Sequence, residues 1–443
     1  MAVILKVRGT RDLLPPETAL WIRVEAIARG VFARYGFGEI RTPIFEATEL
    51  FARGVGAETD IVSKEMYTFT PADDVGRRAA SEERASQDRS GQSLTLRPEN
   101  TAGVVRAYIE HKMYEAGTLQ KLYYIGPMFR RERPQRGRYR QFWQIGVEVL
   151  GPAWSGAEGA LRDAEVLEML ATLLDELGVR GWKLELNSIG SAEDRVRYGA
   201  ALKAALEPVR GQLSAENQRR AETNPLRVLD SKDPGDQAII NGLPKIAEFL
   251  DEESREHFDQ VKAALTACGV PFTENPRLVR GLDYYTRTTF EFTVPDGSGL
   301  GTQNALLGGG RYDGLSEMLG GPKAPGIGFA IGEDRLLLLL QAQAEQEGAA
   351  ERKLDVFIAP MGVAQNPAAL ELARELRKTG LSVELGEGAF RLRRSFETAD
   401  KVACAMVIVG EDELRSGIYP VKYFARGEQA QVPRAELAAA LRR

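Results

Sequence analysis

Histidine and cysteine are nearly missing from this chain, with two of each among 443 residues. His111 and His257 are too few for a His-ligated metal centre, and neither sits in a nucleophile-like context, so no metal ligand is assigned. Cys268 and Cys404 are too few and too distant for a disulfide framework or a zinc site, which fits a reducing cytosol. Long apolar runs are missing as well: Leu336–Leu340 falls far short of the roughly 20 residues a membrane span needs. The start, MAVILKVRGTRDLLPPE, has a short apolar head but no cleavage-like region before charge and proline. No targeting signal and no membrane partner are expected, and the expected location is cytoplasmic. Neither G-x-x-x-x-G-K-[ST] nor a G-x-G-x-x-G opening a βαβ unit occurs, so a bound nucleotide would need another architecture. Net positive charge is also lacking, at −5, so any nucleic-acid contact must come from local patches.

What is present is an ordinary globular composition, 43% hydrophobic and 27% charged, with room for two or three domains. Leu20, Val24, Ile27, Ala28 and Val31 recur at helical spacing after Pro15-Pro16, with Gly36 placed to end the helix. In GFGEIRTPIFEATELF, Pro43 puts an extended segment at a sheet edge or an interface. Pro71–Ser93, with one branched aliphatic residue and no aromatic, reads as a mobile surface loop. Strands are expected at Leu94–Leu96, Lys121–Phe129, Gln141–Leu150 and Thr286–Val294, and a Leu-rich helix ends near Gly178. Residues 191–270 are more polar and mainly helical, an inserted module by composition. The polar stretch Gln341–Arg352 is a boundary, dividing a core of residues 1–345 from a domain of residues 353–443. In that domain short strands and helices alternate, which predicts a small α/β unit with a largely parallel sheet and a closing helix to Arg443.

The most informative run is FRRERPQRGRYRQFWQIGVEVL, Phe129 to Leu150. It places six arginines between Arg130 and Gln141 and then becomes a strand. Side chains alternate across a strand, so Ile145, Val147 and Val149 face one way and Gln144, Gly146 and Glu148 the other. At about 3.3 Å per residue, Gln144 and Glu148 stand roughly 13 Å apart with glycine floor space between them. That suits the bed of a small polar ligand, and the arginine loop beside it suits phosphate. Three further groups bear on chemistry. Leu96-Arg97-Pro98-Glu99-Asn100-Thr101 could grip an ammonium group or simply cap a helix. Arg280-Gly281-Leu282-Asp283-Tyr284-Tyr285 pairs a phosphate-directed charge with an aromatic wall, or makes a surface turn. Gly308–Gly314 and Gly326–Arg335 are glycine-rich, a weak signal alone.

In this order the groups resemble the class II aminoacyl-tRNA synthetases, and over essentially the whole chain the bacterial histidyl-tRNA synthetase family. The Pro43 segment matches motif 1, Phe129–Glu148 motif 2 and Gly326–Arg335 motif 3. RGLDYY and GGGRYDGL match the two segments peculiar to the histidine enzymes. The resemblance implies an α+β catalytic domain built on a six-stranded antiparallel sheet with flanking helices. It also implies a helical insertion, a C-terminal α/β anticodon-binding domain and a homodimer through motif 1. The implied activity is ligation of L-histidine to tRNA(His) through a histidyl adenylate, with ATP and substrate-bound Mg²⁺. Residue by residue, it implies that Glu99, Thr101 and Gln144 hold the α-amino group, while Glu148 and Tyr285, with Tyr284 nearby, read the imidazole. Arg130 and Arg280 would act at the α-phosphate, as the catalytic residues, and Arg335 at the γ-phosphate. Gln135 and Arg136, and Arg391, Arg393 and Arg394 beside Phe390 and Phe396, are the expected tRNA contacts.

In motif 3 the residue before Arg335 is Asp334 where the family's pattern has glutamate. Residues 71–87 read as an insertion relative to a usual short turn. The main rival is a non-catalytic, histidine-sensing regulatory subunit of ATP phosphoribosyltransferase, which keeps the core but lacks the C-terminal domain and degrades the arginines. The threonine and proline synthetases are a second rival, and RGLDYY with GGGRYDGL speaks against them.

Overall fold

The computed structural model describes residues 3–56, 59–70, 93–295, 297–300, 304–346 and 353–442. Of the polar stretch Pro71–Ser93, all but Ser93 lies outside the described residues. Contacts divide the chain into two units, Met1–Glu347 and Gly348–Arg443.

In the first unit, strands β1 (Gly38–Glu39), β5 (Gln120–Phe129), β6 (Gln141–Leu150), β7 (Lys183–Ser188), β8 (Phe272–Glu274), β9 (Thr286–Thr293), β10 (Ala305–Arg311) and β11 (Gly326–Gly332) form one sheet. Its order is β1-β5-β6-β11-β10-β9-β7-β8. The six central strands are antiparallel throughout, and β1 and β8 add to the edges in parallel. The expected six-stranded sheet is therefore present, extended to eight by two short edge strands of two and three residues. Strands β2 (Phe45–Ala47), β3 (Tyr67–Phe69) and β4 (Leu94–Leu96) form a separate three-stranded sheet, ordered β2-β4-β3. The Pro43 segment thus splits between a sheet edge and this small sheet, leaving Ile44 and Phe45 exposed.

Strand alternation decides which face carries what. Ile145, Val147 and Val149 of β6 are buried with Ile327, Phe329 and Ile331 of β11 and Phe290 and Phe292 of β9. Onto that face pack the apolar stripes of helices Glu17–Arg34, Ala160–Glu176, Glu252–Ala267 and Glu333–Gln346. Each buried Leu, Val or Phe there contributes roughly 1.5–3 kcal/mol. The opposite face carries Gln144, Glu148 and Tyr124, with helix Thr101–Glu110 beside it.

Between β7 and β8 the insertion builds its own core from Tyr198, Leu202, Val228, Ile240 and Leu250. Helix Glu252–Ala267, inside the range that composition marked as inserted, instead buries Phe258, Val261 and Leu265 in the main core.

The second unit has strands β12 (Leu354–Pro360), β13 (Val383–Leu385), β14 (Ala403–Val409), β15 (Ile418–Tyr423) and β16 (Gln429–Pro433) in the order β13-β12-β14-β15-β16. Only β12 pairs in parallel with its neighbours, and β14-β15-β16 is antiparallel, so the sheet is mixed rather than largely parallel. A parallel return needs a crossover of about a dozen residues. Helices Asn366–Lys378 and Leu392–Val402 supply two such crossovers. After β14 only the six-residue helix Glu411–Ser416 intervenes before Gly417, at φ 68°, and the chain turns back. The closing helix is also interrupted: β16 comes first, and a short helix, Leu437–Ala440, follows.

Candidate active site

Of the glycines that looked like loop signals, all but Gly314 lie in strands. On the site-facing side of β10 and β11 stand Gly308, Gly310, Gly326 and Gly328, and a Cβ on any of them would strike a functional side chain. At Gly308 it would lie 2.5 Å from Arg280, at Gly310 2.8 Å from the Tyr285 ring, and at Gly326 2.6 Å from Tyr312. At Gly328 it would overlap the Glu148 carboxyl, and at Gly146 of β6 the hydroxyl of Tyr124, its cross-strand partner. The glycines form a floor sunk by one side chain's depth.

On that floor is a chamber of about 180 Å³, lined by Glu99, Thr101, Gln144, Tyr284 and Tyr285 together with Arg130, Arg280, Tyr124 and Tyr312. It adjoins a cleft of about 270 Å³ lined by Arg130, Arg138, Arg280 and Arg335 with Glu132 and Glu291. Arg130, Gln144 and Arg280 border both. Residues that the sequence places more than a hundred positions apart thus meet at one doorway.

Glu99 accepts the backbone N–H groups of Thr101 at 2.7 Å and Ala102 at 3.1 Å, so the helix-capping reading holds while the residue also faces the chamber. Burial pushes its carboxyl above the ordinary range, partly offset by those two N–H groups. Glu148 lies beneath the chamber wall, fully buried. It accepts the Thr101 hydroxyl at 2.6 Å and the Tyr312 hydroxyl at 2.6 Å. Burial pushes its pKa up to about 8 against those two hydrogen bonds. Gln144 borders both spaces, and its buried Oε1 has no hydrogen-bond partner among the described residues. An unpaired buried acceptor costs about 1–3 kcal/mol unless a ligand donor satisfies it. Tyr284 and Tyr285 pack at 4.7 Å between centroids, and Tyr284 meets Tyr312 edge-on at 5.9 Å.

The arginines of the cleft are each held. Arg130 donates to the carbonyl of Pro98 at 2.9 Å and lies over Phe142. Arg280 donates to Glu291 at 2.8 Å; burial opposes its charge, but Tyr285 and Glu291 together keep its pKa raised. Arg335 donates to the carbonyl of Ala305 at 2.8 Å. Asp334 accepts Arg11 at 2.7 Å and the Trp143 N–H of β6 at 3.0 Å, so the shorter acid ties the start of helix Glu333–Gln346 to the sheet. Among the described residues no group of three or more His, Cys, Asp or Glu could hold a metal ion.

The remaining assigned residues lie outside the chamber and cleft. Gln135 and Arg136 are exposed at the tip of the arginine loop, where Gln135 and Arg138 bridge across Gly137. Arg391, Arg393 and Arg394 are exposed in the second unit. Of the two aromatics there, Phe396 packs against a buried cluster containing Phe357 and Met406, while Phe390 stays 40% exposed under Arg394 at 4.4 Å. Sequence reasoning missed Tyr124 and Tyr312. Both signals were available: Tyr124 lies opposite Gly146, and Tyr312 follows the glycine run directly.

A family model described as "Histidyl-tRNA synthetase" matches residues 9–336, and one described as "Anticodon binding domain" matches residues 355–443. The chain belongs to the histidyl-tRNA synthetase family. It is 60% identical over 437 residues to the histidine–tRNA ligase of Koribacter versatilis, covering 98% of this chain and 95% of that one. To the histidine–tRNA ligase of Solibacter usitatus it is 52% identical over 441 residues, 99% of each. The crystal structure of apo S. aureus histidyl-tRNA synthetase matches all of both chains at a TM-score of 0.75 and 37% identity. As a histidyl-tRNA synthetase family member the chain carries both matched regions, and no helix among its described residues is long and apolar enough to cross a membrane.

Proposed function

We propose that the chamber holds L-histidine and the adjoining cleft holds ATP, with the two reacting at the doorway bordered by Arg130, Gln144 and Arg280. The chain ligates L-histidine to tRNA(His), using ATP, through a histidyl adenylate and with release of AMP and diphosphate. The observation that carries the site assignment is this shared doorway, where Gln144, with its unpaired buried acceptor, and the held guanidinium groups of Arg130 and Arg280 border both spaces.

In this reading Gln144, Glu99 and Thr101 receive the α-amino group. The ring lies against Tyr284 and Tyr285, with Glu148 behind Thr101 and Tyr312 setting the polarity of that end. A site built to hydrogen-bond a polar side chain strongly rejects apolar analogues, because its buried groups are then left unpaired. The histidine carboxylate attacks the α-phosphorus, and diphosphate leaves toward Arg335. Adenylation is positioning and charge stabilisation at phosphorus, which suits preorganised arginines and needs no histidine of the enzyme's own. Mg²⁺ would enter as the ATP complex; Glu132, Glu291 and Asp334 are the carboxylates lining the cleft, Asp334 is held by Arg11 and the Trp143 N–H, and one or two such groups suit a phosphate-bound Mg²⁺.

Residues 1–345 form the catalytic core, with the insertion at about 191–270, and residues 353–443 read the anticodon. Arg391, Arg393, Arg394 and exposed Phe390 offer phosphate charge and a stacking face. Gln135 and Arg136 approach the acceptor end. The homodimer forms through the Pro43 segment, where Ile44 and Phe45 are exposed, and the enzyme works in the cytoplasm. The regulatory alternative fails on two points: the anticodon-binding match is present, and Arg130, Arg280 and Arg335 all line the cleft. Truncation after Gln346 tests the division of labour. The truncated chain should keep histidine-dependent pyrophosphate exchange but charge tRNA poorly, with a binding defect that deepens with salt. Normal charging by the truncated chain would remove the second unit from recognition.

A further inference from the structure

The insertion does more than stand beside the chamber. Its first helix, Ala192–Leu206, starts at a capping box: the Ser191 hydroxyl accepts the Asp194 N–H at 3.2 Å, and the Asp194 carboxylate accepts the Ser191 N–H at 2.9 Å. Asp194 is fully buried and also accepts the N–H of Asp251, at the far end of the insertion, at 3.1 Å. Gly190, at φ 71°, allows this approach, since a Cβ there would lie 2.5 Å from Asp194. The direction of the helix is thereby fixed at its first turn.

One residue further on, Arg195 reaches across to the catalytic core. Its Nη1 donates to the carbonyls of Asp283 at 2.9 Å and Tyr285 at 2.8 Å. Those carbonyls bracket the two tyrosines that wall the chamber. Behind them is a cavity of about 30 Å³ bordered by Arg195, Asp283, Tyr285 and Arg280, space for about one water molecule. Arg195 touches neither chamber nor cleft.

We infer that Arg195 is a positioning residue for amino-acid recognition, through which the insertion holds the Tyr284–Tyr285 wall in register with Glu99, Thr101 and Gln144. The inference rests on the chamber being the histidine site. A single guanidinium nitrogen that donates to two carbonyls ties both peptide planes at once, and the planar group fixes the directions of its two N–H bonds. Without it the wall shifts relative to the floor, and displacement on the order of 1 Å can cost about 10²-fold. Insertion and core are joined at further points, Arg227 to Asp60 at 2.9 Å and Arg277 to Gln237 at 3.0 Å, but neither of these bonds reaches the Asp283–Tyr285 carbonyls.

The test is pyrophosphate exchange by the full chain carrying Arg195→Met, Arg195→Lys or, as control, Arg210→Ala, which breaks an ion pair with Glu222 inside the insertion. Arg195→Met should raise KM for histidine by about 10-fold or more while kcat and KM for ATP move by less than about 3-fold. Arg195→Lys should recover part of the loss, and Arg210→Ala should leave KM for histidine at the parent value. A merely structural role would lower the folded fraction, and with it kcat, at constant KM. Should Arg195→Met fail to fold, Arg195→Lys decides alone. An unchanged KM for histidine in the folded variants overturns the inference while leaving the chamber assignment standing. Absence of histidine-dependent exchange in the parent chain overturns both, and shows before any variant is made.

Discussion

Arg280→Ala should lower histidyl-adenylate formation by about 10²-fold or more, the scale of removing one preorganised donor from a developing charge. The side chain is half-buried at the doorway between chamber and cleft and held by Glu291 at 2.8 Å, so it meets the reacting phosphate without reorganising. Its methylene stem and charge are not needed to seat the amino group, which faces Gln144, Glu99 and Thr101. Histidine affinity, measured by equilibrium titration without ATP, should therefore change little. A large loss of histidine affinity at an unchanged adenylation rate would place Arg280 in amino-acid binding instead.

Glu148→Gln should weaken histidine binding by about 10- to 100-fold with ATP binding near normal, because an amide NH2 facing the Thr101 and Tyr312 hydroxyls leaves buried donors unpaired, at a cost of roughly 1–3 kcal/mol. The same variant should alter the pH dependence of stability. Glu148 has its pKa pushed up to about 8 in the folded chain, whereas a free glutamate titrates near about 4.3. Between those values the folded state holds a proton that the unfolded state has released, so stability present at low pH is lost as pH rises to about 8. Glu148→Gln lacks this proton linkage. Denaturant midpoints should favour the variant increasingly from pH 5 to pH 8. Glu333, pushed up to about 9 by burial, contributes a slope of the same sign, but it is present in both proteins and cancels in the comparison. A variant that activates histidine as the parent does would remove Glu148 from recognition, and a stability difference flat with pH would contradict its neutral folded state.

Much of this site is legible in the sequence because alternation in a strand is a hard geometric rule. Gln144, Gly146 and Glu148 had to share a face once β6 was assigned, and they do. The glycine runs were legible as glycine but not as floor, since what each Cβ would strike lies on another strand or loop. Glu148 faces the expected side, yet its carboxyl is capped by Thr101 and Tyr312 from segments 47 and 164 positions away. Nothing local announces such a contact. In the second unit the alternation of strand and helix was read correctly up to β14, where crossovers are long enough to count. Beyond it, parallel or antiparallel return hangs on the short link through Gly417. Phe396 could not be told from Phe390 by composition, and only packing against Phe357 and Met406 separates them.

The central claim is that the glycine-floored chamber selects histidine and presents it to ATP. ATP–pyrophosphate exchange, run on the parent chain with each of the twenty amino acids in turn, tests it most directly. Histidine alone should support rapid exchange. Exchange with threonine or proline in its place, or none with any amino acid, would contradict the account.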